Sequence, residues 1–143
     1  MRVVLDSSAI LAVGLNEPDA DIYEQALEGL VRPVISALTL FEMRTVLAFR
    51  KGPAVLATME KALARARTEI VAFDEARSDG AFAAYRRFGK GTGHPARLNL
   101  VDCAGYALAA ETGLPLLFKG ADFHHTDVTP ALPLLVPDAG DRM

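Results

Sequence analysis

Four acidic residues stand where apolar runs give way to helical patterns: Asp6, Glu42, Asp102 and Asp122. Asp6 ends the run Val3-Val4-Leu5. Glu42 follows Pro33-Val34-Ile35, and the spacing predicts it in the first turn of a helix that opens at Thr39. Asp102 lies in the first turn of a helix that opens at Asn99. Asp122 comes four residues beyond Phe118, the end of the run Leu114-Pro115-Leu116-Leu117-Phe118. Ligands of open α/β sheets bind outside the carboxyl ends of the strands, where helices begin. Four carboxylates from four distant segments are therefore expected on one rim. Hard carboxylate oxygens select Mg²⁺ or Mn²⁺ over softer metals. Such an ion polarises a phosphoryl oxygen, lowers the pKa of a bound water and orients it for in-line attack. The hydroxyl of Ser7 or Ser8 is placed to bond a carboxylate or that water.

Each acid also has a plain structural explanation. Thr39-x-x-Glu42 matches a capping box, Asn99-x-x-Asp102 places an acid beneath a good N-cap residue, and Asp6 is a candidate N-cap. Acids in first turns suit the helix dipole whatever the function. Taken together the pattern asks for more. Asp6 follows directly on a buried strand, where an unpaired charge is costly. Several like charges on one rim raise one another's pKa unless a cation neutralises them.

The elements that must position these acids follow from hydrophobic periodicity. Strands are expected at Val3–Leu5, Pro33–Ile35, Ile70–Phe73 and Leu114–Phe118, with a short edge strand beginning at Val128. Helices are expected after Ser7, from Glu17 to Leu30, from Thr39 to Arg50, from Ala54 to Thr68, from Ala76 to Phe88 and from Asn99 to Thr112. Alternating strands and helices imply a parallel, three-layer α/β/α sheet. Strands with few polar residues agree, because parallel strands are covered on both faces. The chain's 143 residues suit a single domain over 1–143, with an acidic, proline-containing C-terminal tail from about 129. At 51% apolar residues the chain has material for a core. The one cysteine, Cys103, excludes an internal disulfide and a cysteine-rich zinc site. No apolar stretch nears the roughly 20 residues that span a bilayer, and Asp6 interrupts the first apolar run, so a cytoplasmic setting is expected.

A net charge of −3 argues against a global field for polyanions. Charge is local instead. Arg86, Arg87, Lys90, His94 and Arg97 form a stretch without an acid. They are candidate phosphate contacts beside the acids, or else a solvated helix end and a loop. Ser8 is the further candidate for touching substrate. Gly89, Gly91 and Gly93 lack the Gly-Lys-Ser/Thr spacing of a P-loop. Adjacent His124 and His125 cannot readily chelate one metal from one side, and Cys103 reads as a packed residue.

The segments Val3-Val4-Leu5-Asp6-Ser7-Ser8-Ala9, Ser36-Ala37-Leu38-Thr39-Leu40-Phe41-Glu42, Asn99-Leu100-Val101-Asp102-Cys103 and Leu116-Leu117-Phe118-Lys119-Gly120-Ala121-Asp122-Phe123 resemble, in order and spacing, the PIN-domain family. Within it they are most similar to the VapC-type toxins of bacterial toxin–antitoxin pairs, as is the loop from Gly89 to Asn99. The resemblance implies a central, mostly parallel sheet of four to five short strands, cleavage of RNA with Mg²⁺ or Mn²⁺, and silencing by a cognate VapB-type antitoxin. It makes Asp6, Glu42 and Asp102 metal ligands and Asp122 a fourth acid. One departure matters: many relatives carry an Asp or Asn where this chain has Gly120, which leaves Asp127 as a substitute for the fourth acid.

A homodimer is the expected assembly. The apolar residues Ile22, Tyr23, Leu27, Leu30, Leu40, Val46, Leu47 and Phe49 suggest a groove for an antitoxin peptide, or else they complete the core or a homodimer seam. The competing function is a non-catalytic PIN-like or receiver-like binding module. A receiver would use a late lysine such as Lys119 but wants an early acid pair that is absent. A haloacid-dehalogenase-like phosphatase wants a second Asp where Ser8 stands.

Overall fold

The computed structural model describes residues 1–136. Four short strands, β1 (Val4–Leu5), β2 (Val34–Ser36), β3 (Glu69–Val71) and β4 (Leu116–Leu117), form one sheet in the order β3-β2-β1-β4. Every pairing is parallel: Val4 lies opposite both Val34 and Leu116, and Ile35 opposite Ile70. Six helices connect them: α1 (Ser7–Gly14), α2 (Ala20–Glu28), α3 (Ala37–Arg50), α4 (Pro53–Arg65), α5 (Glu75–Phe88) and α6 (Leu100–Thr112). A short 3₁₀ helix, Asp122–His125, follows β4.

Side chains alternate across each strand. Val3, Leu5, Ile35 and Leu117 face one core, filled by Ile10, Tyr23, Met43, Leu47, Met59 and Leu63 of α1 to α4. Val4, Val34 and Leu116 face the other, filled by Ala81, Ala84, Phe88, Tyr106 and Leu108 of α5 and α6. Two cores, one on each face, are the three-layer arrangement expected from the unbroken apolar runs. Gly14 lets α1 approach α3 closely, since a β-carbon there would meet Leu47 Cδ2 at 2.6 Å.

Three local differences have physical reasons. Helix α3 starts at Ala37, not Thr39, because Ser36 ends β2 and caps the helix at once, its hydroxyl accepting from Leu38 N–H at 3.2 Å. Thr39 is buried instead. Helix α4 stops at Arg65, and Thr68 turns its hydroxyl back onto the Leu63 carbonyl at 2.7 Å. No fifth strand forms at Val128 among the described residues; the chain makes one bridge, Leu116 to Pro130, flanked by Leu116 N–H to Thr129 O and Ala131 N–H to Leu116 O. Proline has no N–H with which to extend a ladder. Beyond it Ala131, Leu132 and Val136 are buried in the first core. The acidic residues Asp138 and Asp141 of the expected tail lie outside the described residues.

The apolar excess between Ile22 and Phe49 is largely absorbed by the core. Ile22, Tyr23, Leu30, Leu40 and Leu47 are buried, whereas Phe49 is 89% exposed. An open concavity lies between α2 and α4, lined by Leu27 and Leu30 of that segment together with Met59 and Leu63, with a volume of about 360 Å³. Among the described residues no helix is long and apolar enough to cross a membrane.

Candidate active site

The start of α1 carries the centre of the site. Asp6 leaves β1 with its N–H bonded to Leu117 O at 2.9 Å and becomes the N-cap of α1. Its Oδ2 accepts from Ser8 N–H at 3.1 Å and from the Ser8 hydroxyl at 2.5 Å. Its Oδ1 is buried and has no hydrogen-bond partner. Helix α6 passes close by: a β-carbon at Gly105 would lie 3.7 Å from that oxygen. The two serines divide their work. Ser8 holds Asp6, while the Ser7 hydroxyl donates to Glu42 Oε1 across from α3.

Glu42 therefore does not belong to a capping box. It sits in the second turn of α3, which Ser36 caps, and its contact is with the start of α1. Asp102 does belong to one. Its N–H donates to Asn99 Oδ1 at 2.8 Å, and its Oδ2 accepts from Asn99 N–H at 3.0 Å. That bond spares Asp102 Oδ1.

Electrostatics joins the four acids. Burial pushes the Asp102 carboxyl up to about 7, against the Asn99 hydrogen bond, and the charges of Asp6, Glu42 and Asp122 push the same way. Burial likewise raises Asp6, opposed by Ser8 and assisted by Glu42. Asp122, at the exposed start of the 3₁₀ helix after β4, thus acts on Asp102 by its charge. Among the described residues no three His, Cys, Asp or Glu side chains are drawn together tightly enough to form a metal-binding group. The donor set nevertheless fits a hard divalent cation: it is all carboxylate, and one buried oxygen is left without a partner.

Asp127 is engaged elsewhere. It accepts from the Tyr106 hydroxyl and pairs with Arg87 at 3.6 Å. Gly120 has φ +106°, a backbone region that favours glycine, so the turn itself accounts for its residue type.

The basic stretch divides into used and free cations. Arg87 lies over the Phe88 ring at 4.5 Å besides pairing with Asp127, and Arg86 lies over Phe82 at 5.8 Å. The loop closes on itself: Lys90 N–H donates to Leu98 O at 2.8 Å, Leu98 N–H to Phe88 O at 3.0 Å, and the Tyr85 hydroxyl to Lys90 O at 2.7 Å. This brings Lys90 back beside Asn99, the cap of the helix that carries Asp102. Lys90 and Arg97 are exposed and have no ion-pair partner among the described residues. His94 is tied into the loop, its Nδ1 accepting from Ala96 N–H at 3.1 Å. His124 and His125 are exposed, and His124 packs edge-on against Phe118. Cys103 is buried, with its thiol pushed up to about 12 by that burial.

Sequence reasoning missed the contacts that hold the segment after β4. Lys119 Nζ lies 2.7 Å from Asp19 Oδ1 and 3.4 Å from Glu17 Oε2, and the Tyr23 hydroxyl donates to Phe118 O at 3.2 Å. The one available signal was Lys119 itself, a lone cation in an apolar stretch.

A profile of the PIN domain matches residues 3–128. Ribonuclease VapC30 of Mycobacterium tuberculosis is 42% identical over 132 residues, covering 92% of this chain and 100% of that protein. Ribonuclease VapC42 of the same organism is 40% identical over 129 residues, covering 90% and 98%. The crystal structure of M. tuberculosis VapC20, described as a sarcin–ricin loop cleaving toxin, matches with a TM-score of 0.74 at 15% identity, over 89% of this chain and 96% of that one. The structure of PAE2754 from Pyrobaculum aerophilum matches with a TM-score of 0.62 at 18% identity, over 98% and 96%. The two structural matches speak to the fold.

Proposed function

Because the chain belongs to the PIN-domain family, we propose that it is a metal-dependent endoribonuclease, the toxin of a toxin–antitoxin pair. The observation that carries this is Asp6: a buried carboxylate, 2% exposed, whose Oδ1 has no partner, with the charge of Glu42 acting on it and with its own charge acting, beside those of Glu42 and Asp122, on Asp102. A cap alone leaves that oxygen unexplained, whereas a cation satisfies it. Asp6, Glu42 and Asp102 would hold Mg²⁺ or Mn²⁺, with Asp122 as the fourth acid. When bound, such an ion lowers the pKa of a water and stabilises charge on a phosphoryl oxygen.

The chain's own residues do the rest. Ser7 and Ser8 fix the orientations of Glu42 and Asp6 through their hydroxyls. Asn99 locks one oxygen of Asp102 and leaves the other for the cation. Lys90 and Arg97, free of acidic partners, take the phosphates of an RNA strand that crosses the acids, with Arg86 and Arg87 beside them. A VapB-type antitoxin, a second copy of the chain and a cytoplasmic setting belong to the same proposal.

Asp6→Asn tests it. The variant keeps an acceptor for the α1 cap and loses the anionic oxygens. It is expected to retain wild-type circular dichroism and to lose RNA cleavage in Mg²⁺ or Mn²⁺ by more than the roughly 100-fold that changes around a metal site's ligands produce. A folded Asp6→Asn protein that cuts RNA at the wild-type rate would overturn the assignment. Wild-type protein that binds RNA without cutting it in either metal would favour a non-catalytic binding module.

A further inference from the structure

The chain that delivers Asp122 is fastened from outside the sheet. β4 ends at Leu117, and Asp122 begins the 3₁₀ helix five residues later. The two residues that follow the strand carry three anchors. Phe118 O accepts from the hydroxyl of Tyr23, which is 1% exposed, at 3.2 Å. Lys119 N–H donates to Ser8 Oγ at 2.9 Å, and that hydroxyl in turn donates to Asp6 Oδ2 at 2.5 Å. Lys119 Nζ, on a side chain 27% exposed, is held by Asp19 Oδ1 at 2.7 Å and Glu17 Oε2 at 3.4 Å, both in the connection from α1 to α2. Past Lys119 comes Gly120 at φ +106°, a turn that swings the chain into the 3₁₀ helix.

We propose that Lys119 is a positioning residue for the acid site: its clamp on Asp19 and Glu17 sets where the chain leaves β4, and so where Asp122 stands relative to Asp102. This rests on Asp122 being the fourth carboxylate of the site. The geometry supports a latch over a general surface pair. One carboxylate of an exposed pair is usually enough to satisfy a lysine, and exposed pairs contribute little. Here two carboxylates converge on one ammonium, and the same residue's backbone is bonded to the serine that orients Asp6. The start of α1, the α1–α2 connection and the Asp122 segment are thereby tied at one residue. Residues that orient metal ligands from outside typically change metal affinity by roughly 10–100-fold when removed.

The experiment is a Mn²⁺ titration of the purified full chain, followed by electron paramagnetic resonance of the free ion, with metal-free melting temperature measured alongside. Lys119→Met is expected to weaken Mn²⁺ binding by about 10-fold or more, and Lys119→Arg to restore most of it. Asp19→Asn, which leaves Lys119 in place, is expected to reproduce the loss in the same direction. In an Asp122→Asn background, Lys119→Met is expected to cost less than about twofold, because its route to the metal is gone. Wild-type affinity in folded Lys119→Met and Asp19→Asn would overturn the latch. So would a Lys119→Met loss of the same size with and without Asp122, which marks general destabilisation. Wild-type protein that takes up no Mn²⁺ overturns the metal site itself, and the latch with it; wild-type uptake with unaffected variants overturns only the latch.

Discussion

Asp102 should make the metal-free protein less stable as pH rises. Burial, and behind it the charges of Asp6, Glu42 and Asp122, carry its carboxyl from an ordinary 3.8 to about 7. The unfolded chain ionises first. The stability contributed by the neutral folded form is therefore full below pH 3.8 and is lost as pH climbs through about 7. At about 1.4 kcal/mol per pKa unit the whole rise corresponds to about 4 kcal/mol, and solvent screening of a partly exposed carboxyl leaves about 2 kcal/mol. Asp6 is raised in the same direction, chiefly by its own burial. Asp102→Asn removes the charge and keeps an acceptor for the Asn99 N–H. In EDTA near pH 8 it is expected to melt above wild type by roughly 4–8 °C, the shift that about 2 kcal/mol produces in a domain of this size. Near pH 5 the gap should narrow, because most Asp102 is then protonated in the folded state. Mn²⁺ should reverse the order, since a ligand at 100 times its dissociation constant adds about 2.7 kcal/mol to the protein that binds it. Scanning calorimetry at both pH values, with EDTA and with Mn²⁺, reads all of this. A metal-free Asp102→Asn protein no more stable than wild type near pH 8 would refute the reasoning.

Ser8→Ala strips the hydroxyl from both Asp6 and the Lys119 N–H; it should cost about 1–3 kcal/mol in chemical denaturation and weaken Mn²⁺ binding by roughly 10–100-fold. Lys90→Ala and Arg97→Ala should each weaken RNA binding and lower the log–log salt slope by about 0.7 in filter binding across a salt series, with Mn²⁺ affinity unchanged; an unaltered slope would remove that residue from the RNA path. Expressed alone the chain should arrest growth, and expressed with the neighbouring gene product it should be relieved and co-purify with it. Equal toxicity in both cases, with no co-purifying partner, would contradict the antitoxin.

Much of the fold was legible because parallel strands are covered on both faces. Val3-Val4-Leu5 and Leu116-Leu117-Phe118 carry no polar residue, and only a three-layer fold buries such runs. The start of α3 was misplaced for a definite reason. Thr39-x-x-Glu42 has the form of a capping box, but Ser36 at the end of β2 reaches Leu38 N–H first, which frees Glu42 for Ser7. The placement of Lys119 was not legible, because its partners lie about a hundred residues earlier in the chain and nothing in a one-dimensional pattern joins them. The apolar surplus around Ile22 and Leu47 was overcounted for a related reason: the depth of core on the α1–α4 side depends on α4 and on Ala131, Leu132 and Val136, which close it from afar.

Capping and the proposed metal binding need not compete for the same oxygens of these acids. Asp6 commits Oδ2 to Ser8 and leaves Oδ1 bare. Asp102 commits Oδ2 to Asn99 N–H, and Glu42 commits Oε1 to Ser7. In each case a neighbour at the start of a helix fixes one oxygen, which sets the carboxylate's direction without using it up. A capping role alone would be met by Asn or Ser at position 6 and would avoid the cost of burying a charge. What these contacts leave over is one oxygen on each of Asp6, Asp102 and Glu42. Asn at position 6 keeps the committed contact and loses the charge, so the Asp6→Asn protein should fold as before and bind no cation. The two roles then separate in a single variant.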